Sequence, residues 1–326
     1  MMQAVVLEEY GSVEVLRIRS VPRPVPKPNE VLVKVAATAL NRADLLQRRG
    51  LYPGPNAEYE IPGLEFSGTI ESVGANASLY QKGTEVMGIV SGGGYAEYLT
   101  VEERQVIPVP SNVQLVEAAA IPEVWITAFD ALIDKGFLRG GQHCLIHAGG
   151  SGVGTAGIQI AKEVGAEVAV TASSPKLDTC TRLGADLVID YHTKDFVEEI
   201  KNWTGTKGVD VILDVIGGDY LEKNIRCSSN KGTIVQVGAL KAIKTEINLG
   251  ILLQKRLTLV GTVLRSRSTE EKIALAELFI SQIVPKFEKG IFKPVIDSRY
   301  SFSQIALAHT YMESNKNIGK ILIELS

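Results

Sequence analysis

Three cysteines, Cys144, Cys180 and Cys227, are all that the 326 residues contain. The number is odd, the gaps are wide and no CxxC spacing occurs. Neither a disulfide framework nor a zinc motif is therefore expected, and free thiols in a reducing cytosol are. No run of eighteen apolar residues exists, which excludes a membrane-spanning helix. The N-terminus, MMQAVVLEEYGSVEV, reaches acidic side chains before any long apolar stretch. No signal peptide is expected, and the chain is assigned to the cytoplasm. Basic residues are not in excess either: 34 basic against 37 acidic side chains leave a net charge of −3. Nucleic acid calls for a basic footprint, so no nucleic-acid partner is expected.

What is present is an ordinary globular composition, 45% hydrophobic and 22% charged, which argues against disorder. The length suits two domains at roughly 150 residues each. Glycine stands out, with 31 in the chain against a usual share of about 7%, and several fall in two short loops.

The texture of the chain changes near residue 123. Before it, short β-like runs recur between turn residues, at 31–35, 67–73 and 85–90. This spacing predicts a barrel-like β domain. Pro22, Pro24, Pro26 and Pro28 alternate, which predicts an extended connector between two strands. From about 124 to 265 strand and helix alternate. Strands are expected at 143–147, 167–171, 187–190, 209–214, 233–237 and 257–263, and helices at 155–164, 176–183, 196–203, 220–227 and 249–255. Strands rich in Val and Ile on both faces belong to a parallel sheet covered by helices. Six in this rhythm predict a doubly wound, six-stranded Rossmann domain of α/β class. After 265 a helical stretch at 270–289 precedes a strand at 293–300, a helix at 303–312 and a strand at 320–325. This tail is too short for a core of its own and is expected to pack on the N-terminal domain. The expected domains are 1–123 with 266–326, and 124–265.

The sharpest local signal is HAGGSGVGTAG, residues 147–157, which follows a strand and opens a helix. In that context glycines let the backbone approach a pyrophosphate at a helix N-terminus. Gly152, Gly154 and Gly157 spell GxGxxG literally. A register starting at Ala148 and running through Ser151, Gly152, Val153 and Gly154 is preferred, because it puts the tight turn directly after the strand. The second strand ends in Thr171-Ala172-Ser173-Ser174-Pro175-Lys176, without the acid that holds the ribose hydroxyls in an NAD site. Ser173 and Lys176 could hold a 2′-phosphate, with Tyr191 closing the pocket, so NADPH is the expected cofactor. The plainer reading makes Ser173 a helix cap and Lys176 a surface charge. His143, His147, His192 and His309 show no constellation, and Asp44 is read as an ion-pair partner of Arg48 one turn away.

The segments ALNRADLLQRRGLY, GLEFSGTIESVG, SGGGYAEY, AAAIPEVWITAF, HAGGSGVGTAGIQIAK, GVDVILDVIGGDYLEKN, LRSR and YMESNKNIGKI span the chain from end to end. In these segments the sequence resembles the zinc-independent, zeta-crystallin-like quinone oxidoreductases of the medium-chain dehydrogenase/reductase superfamily. The resemblance implies a GroES-like β-barrel catalytic domain beside the Rossmann domain, and a homodimer. Zinc-bearing relatives place cysteine where Asn41 stands and read Gly-His-Glu where this chain reads Gly63-Leu64-Glu65. Both ligands are replaced by poor ones, and no metal is expected. Without a Lewis acid, alcohol oxidation is disfavoured, whereas an electrophilic quinone or enone needs less activation.

By resemblance, Asn41 contacts the nicotinamide side and Thr127 lies beside the nicotinamide or the phosphates. Ser151, Gly152, Val153 and Gly154 hold the pyrophosphate. Gly238, Ala239, Leu264, Arg265 and Ser266 pack the nicotinamide ribose, and Asn317 closes the pocket. Tyr52, in the loop RRGLYPGP, is the candidate catalytic contact to the acceptor carbonyl. The expected activity is NADPH-dependent reduction of a quinone. Reduction of α,β-unsaturated carbonyls and a non-catalytic NADPH-binding redox sensor are the alternatives.

Overall fold

The computed structural model describes every residue except 53, 56 and 326. The chain forms two compact units, Met1–Ile126 with Arg265–Ser326, and Thr127–Leu264.

The first unit opens with a two-stranded ribbon, β1 (Met2–Val6) and β2 (Arg17–Val21). The alternating prolines follow as a segment without regular structure, leading into the long strand β3 (Glu30–Ala39). Then come α1 (Arg42–Arg48), β4 (Glu65–Val73), β5 (Glu85–Ile89), β6 (Tyr98–Glu102), β7 (Ile107–Pro108), α2 (Leu115–Ala118) and the start of α3 (Pro122–Phe129), within which the unit ends. Strand β3 pairs with β4 and β6, both antiparallel, so it is central to the sheet. Its side chains Val31, Val33 and Val35 meet Phe66, Ile70, Val86 and Leu99 in one buried cluster.

The second unit holds β8 (His143–His147), α4 (Gly152–Glu163), β9 (Glu167–Ala172), α5 (Leu177–Arg182), β10 (Leu187–Asp190), α6 (Phe196–Trp203), β11 (Val209–Asp214), α7 (Tyr220–Cys227), β12 (Ser228–Gln236), α8 (Leu249–Lys255) and β13 (Thr258–Gly261). The six strands run parallel in the order β10-β9-β8-β11-β12-β13. That is the doubly wound arrangement expected from the alternation, with the strand order reversing beside β8. Leu145, Ala169, Ile189 and Ile212 from the sheet pack with Phe196, Ile200 and Ile225 from the helices. All three cysteines are buried free thiols.

The chain then returns to the first unit through α9 (Thr269–Gln282), α10 (Val284–Glu288), β14 (Ile296–Ser301), α11 (Ile305–Glu313) and β15 (Lys320–Glu324). The amphipathic stretch expected over 270–289 forms two helices that meet at Ile283, with Pro285, which lacks a backbone donor, in the first turn of the second. Strand β15 pairs antiparallel with β3, Leu322 opposite Ala39, and extends the N-terminal sheet. Among the described residues no helix is long and apolar enough to cross a membrane.

The unit boundaries lie three residues beyond the expected 123/124 and one residue before the expected 265/266. The cause is packing. Trp125 is 1% exposed and its ring sits 4.7 Å from Phe287 and 4.8 Å from Phe292. This binds the start of α3 to the returning segment. Trp125→Ala leaves an aromatic-sized void there and is expected to cost about 3–5 kcal/mol, read as a lower midpoint for the first unit in chemical denaturation.

Candidate active site

In the second unit the site begins where β8 ends. Ala148 takes a left-handed backbone, φ 56°, and Ser151 N–H bonds back to Ala148 O at 2.8 Å. The tight turn therefore follows the strand directly, in the register that starts at Ala148. Ser151 is the N-cap of α4, its hydroxyl accepting from Gly154 N at 3.0 Å. A Cβ on Gly154 would stand 2.3 Å from Ala148 O, and one on Gly149 would stand 2.8 Å from Val170 Cβ. Only glycine lets this turn close on the strand and bare its backbone. Gly157 lies one turn further into the helix, near Ile146 and Leu132, and is a packing glycine.

The tips of β9 and β10 lie side by side, Asp190 opposite Ala172. This register brings together the segments that carry Ser173 and Tyr191. Ser173 is the N-cap residue of a single 3-10 turn, Ser174–Lys176, though its side chain makes no capping bond there. The methylenes of Lys176 lie against Gly150, where a Cβ would come within 2.7 Å of Lys176 Cδ. Asp190 is the one acid at these tips. Its carboxylate accepts from Ser174 Oγ and from His192 N, and these bonds hold its pKa down. Tyr191 is exposed and its ring lies 4.3 Å from His192. Thr127 and Leu264 are buried, while Gly238 keeps some surface and Ala239 and Ser266 are exposed. The loop fits a dinucleotide: a glycine turn, an N-cap and the free amides of a twelve-residue helix.

The first unit contributes a buried polar cluster that begins at Asn41, the N-cap of α1. The β15–β3 pairing continues to Leu40, whose N–H bonds Ile321 O at 2.9 Å. That register aims Lys320 at the end of β3. Its ammonium donates to Leu40 O at 2.7 Å, to Asn41 Oδ1 at 2.7 Å and to Glu65 Oε1 at 2.8 Å. Three donors are all an ammonium has. Asn41 Nδ2 donates to Glu65 Oε1 at 2.8 Å and to Ala39 O at 3.2 Å. Glu65 Oε2 accepts from Glu123 N at 2.8 Å. Asn41, expected at the nicotinamide, thus has both amide hydrogens engaged within its own unit. Asn317 is also buried, with Nδ2 donating to Gly319 O at 3.0 Å.

Behind this cluster lies a second chain of buried polar groups. Asp44 is fully buried and Oδ2 accepts from Asn41 N at 2.8 Å and from Tyr95 OH at 3.0 Å. The expected pair with Arg48 does not form, because the Arg48 guanidinium turns instead to Glu313, Gly11 O and His309. His309 Nε2 lies 3.2 Å from Tyr95 OH and Nδ1 lies 3.5 Å from Arg48 Nη1. Arginine can only donate, so Nδ1 accepts and Nε2 carries the hydrogen. Burial and the Arg48 charge push the imidazole down to about 3, keeping it neutral. Burial pushes the Asp44 carboxyl up to about 6.

A third group of side chains forms the wall around Tyr52. The Arg265 guanidinium donates to Ser91 O at 2.8 Å, to Tyr52 O at 3.2 Å and to Gln47 Oε1 at 2.8 Å, and covers the Tyr52 ring at 4.8 Å. Arg265, expected against the nicotinamide ribose, is here the brace of this wall. Lys272 Nζ donates to Ser91 Oγ at 2.7 Å. Tyr52 is half-buried and its hydroxyl stays protonated, its pKa raised by burial. Glu123 keeps some surface, and burial followed by the Glu65 charge pushes its carboxyl up to about 8. Sequence reasoning missed Glu123, Lys320, Gln47, Lys272 and His309. Only Glu123 had a local signal, an acid in the first turn after Pro122.

A zinc ion does not fit the cluster at Asn41. Its donors would be an amide and a carboxylate already bonded to an ammonium, with Leu64 beside Glu65 in sequence. Among the described residues no three His, Cys, Asp or Glu side chains converge as a metal site.

Two family models match: the zinc-binding dehydrogenase model over residues 152–279 and the alcohol dehydrogenase GroES-like domain over 27–111. The human quinone oxidoreductase is 32% identical across all of this chain and 98% of its own length. Among solved structures, an NAD-dependent alcohol dehydrogenase is 31% identical with a TM-score of 0.88, both chains fully covered. The JamJ enoyl reductase is 26% identical with a TM-score of 0.91, again over both whole chains.

His309 enters the folded state neutral, below its unfolded pKa. Its contribution to stability is therefore complete above about pH 6.5 and is lost as pH falls toward 3. The difference in unfolding free energy between wild type and His309→Gln is expected to shrink over that range, measured by urea titration at stepped pH.

Proposed function

This chain belongs to the medium-chain dehydrogenase/reductase superfamily of oxidoreductases, whose members bind a nicotinamide cofactor, and from that premise we propose that it is an NADPH-dependent, metal-independent quinone reductase. The observation that carries the reading is the Lys320 ammonium, bonded to Asn41 Oδ1 and Glu65 Oε1. A cation that belongs to the chain itself sits among residues that, by the resemblance, stand where zinc-bearing relatives hold their metal. It has no open position with which to polarise an alcohol. An acceptor that is already electrophilic does not need one.

When bound, the cofactor supplies a hydride; binding, orientation and proton handling are the protein's part. Ser151, Gly152, Val153 and Gly154 would hold the pyrophosphate. Ser173, Lys176 and Tyr191 would hold the 2′-phosphate, with Lys176 already laid along the glycine loop. Thr127 would lie beside the nicotinamide or the phosphates, and Gly238, Ala239, Leu264 and Ser266 would pack the nicotinamide ribose. Tyr52, fixed by the Arg265 brace, would donate its hydroxyl to the acceptor oxygen as negative charge develops there. Asn41 would act by positioning Glu65 and Lys320. A cytoplasmic homodimer belongs to the same reading.

Reduction of enones is the second reading, favoured by the full-length likeness to an enoyl reductase. Both acceptors accept hydride without a metal, so a panel of p-quinones, o-quinones and enals separates them. NADPH that binds without turnover on any of these acceptors would make the protein a binding module instead.

Lys176→Ala is expected to weaken NADPH binding about tenfold or more, the loss of a charge-assisted contact, and to leave NADH binding unchanged. Fluorescence titration with both cofactors checks this. Tyr52→Phe is expected to lower kcat/KM for the quinone about tenfold, roughly 1.4 kcal/mol of transition-state stabilisation, with cofactor affinity unaltered.

A further inference from the structure

Reduction of a carbonyl acceptor needs a proton as well as a hydride. We propose that the carboxylic acid of Glu123 supplies that proton, acting as the general acid on the acceptor oxygen; this rests on the reductase reading above.

Elimination among the buried groups leads to Glu123. Lys320 has all three N–H groups engaged, and Asn41 both of its amide hydrogens. Both Glu65 oxygens accept hydrogen bonds. Asp44 is sealed in behind Tyr95 with no surface at all. Glu123 differs in each respect. Its backbone N–H is tied to Glu65 Oε2 at 2.8 Å, which fixes where the residue starts, yet the residue retains surface. Among the described residues no hydrogen bond engages its carboxyl.

The surroundings favour storing and then releasing a proton. Glu65 on β4 and Asp44 on α1 repel a negative charge on Glu123, while Lys320 on β15 and Arg265 attract it. Lys272 on α9 and the Tyr52 phenol also feel its charge. Burial and Glu65 prevail, and the acid stays protonated at neutral pH. Once ionised, the carboxylate lies in the first turn of α3, whose dipole stabilises it. Tyr52 and Glu123 then form a pair in which the phenol holds the acceptor oxygen and the acid protonates it.

The step balances. The hydride that the bound cofactor would supply brings two electrons and one hydrogen to the acceptor, the Glu123 O–H bond breaks, and its proton forms an O–H bond on the acceptor oxygen, so that both added hydrogens are accounted for. The carboxylate that remains regains its proton from water. A quinone thereby becomes a hydroquinone.

The test compares wild type, Glu123→Gln and Glu123→Asp with 1,4-benzoquinone and NADPH across pH 6–10. Wild-type kcat is expected to fall as pH rises through about 8. Glu123→Gln is expected to be on the order of 10²-fold slower at pH 7 and flat with pH, with NADPH affinity within twofold of wild type. Glu123→Asp is expected to keep an alkaline limb at a shifted midpoint. A glutamine variant that keeps the wild-type limb, or turns over within threefold of wild type, overturns the proposal. If the glutamine variant does not fold, the aspartate variant decides, and an unmoved limb overturns the proposal. Wild type that binds NADPH but reduces no quinone or enone overturns the reductase reading, and this assignment with it.

Discussion

The ion pair between Lys320 and Glu65 is the constraint around which the first unit is arranged. Both side chains are sealed, at 3% and 0% exposure. Two charges withdrawn from water are tolerated only where geometry is good and the remaining donors and acceptors are met. Here they are met by Leu40 O, the Asn41 amide and the Glu123 backbone. Three distant parts of the chain therefore have to arrive in register: β4 with Glu65, the β3–α1 junction with Asn41, and the final strand with Lys320. The Thr38 hydroxyl, bonded to Glu65 O at 2.6 Å, fixes the same junction from the other side.

Much of the remaining polar structure follows from this pair. Next to it, Asp44 at the third helical position accepts from the Asn41 backbone N–H and so fixes the start of α1. Asp44 in turn holds Tyr95, Tyr95 holds His309, and Arg48 reaches across to Glu313. The chain carries charge only at its ends; its interior consists of a phenol and a neutral imidazole. A low-dielectric interior favours that arrangement, since neutral hydrogen-bonded groups are far less costly to bury than ions.

The second unit was largely legible in advance. Its order is written in runs of Val and Ile with period-free burial, separated by helices of one face, and α6, α7 and α8 keep the expected bounds. The glycine loop was legible for the same reason: glycine, Ser151 and the helix start are neighbours in sequence, so their chemistry is local. The first unit was less so. The expectation for Asp44 rested on the one-turn spacing to Arg48, a local argument, and the fold sent Arg48 to Glu313, 265 residues away. The amphipathic stretch expected over 270–289 divides at Ile283, where Pro285 in the next helical turn carries no backbone donor.

Local pattern and spacing were enough for the class of the molecule: a parallel α/β unit with a dinucleotide loop, set within a β-rich chain that returns to its own beginning. The resemblance adds that Asn41 and Leu64 stand where zinc-bearing relatives carry cysteine and histidine. What stands there instead, the Lys320 ammonium, is set by long-range strand pairing. Lys320 lies 279 residues from Asn41, and no period or spacing links them. Strand pairing between β15 and β3 sets that contact, and the high cost of an unpaired buried charge holds it.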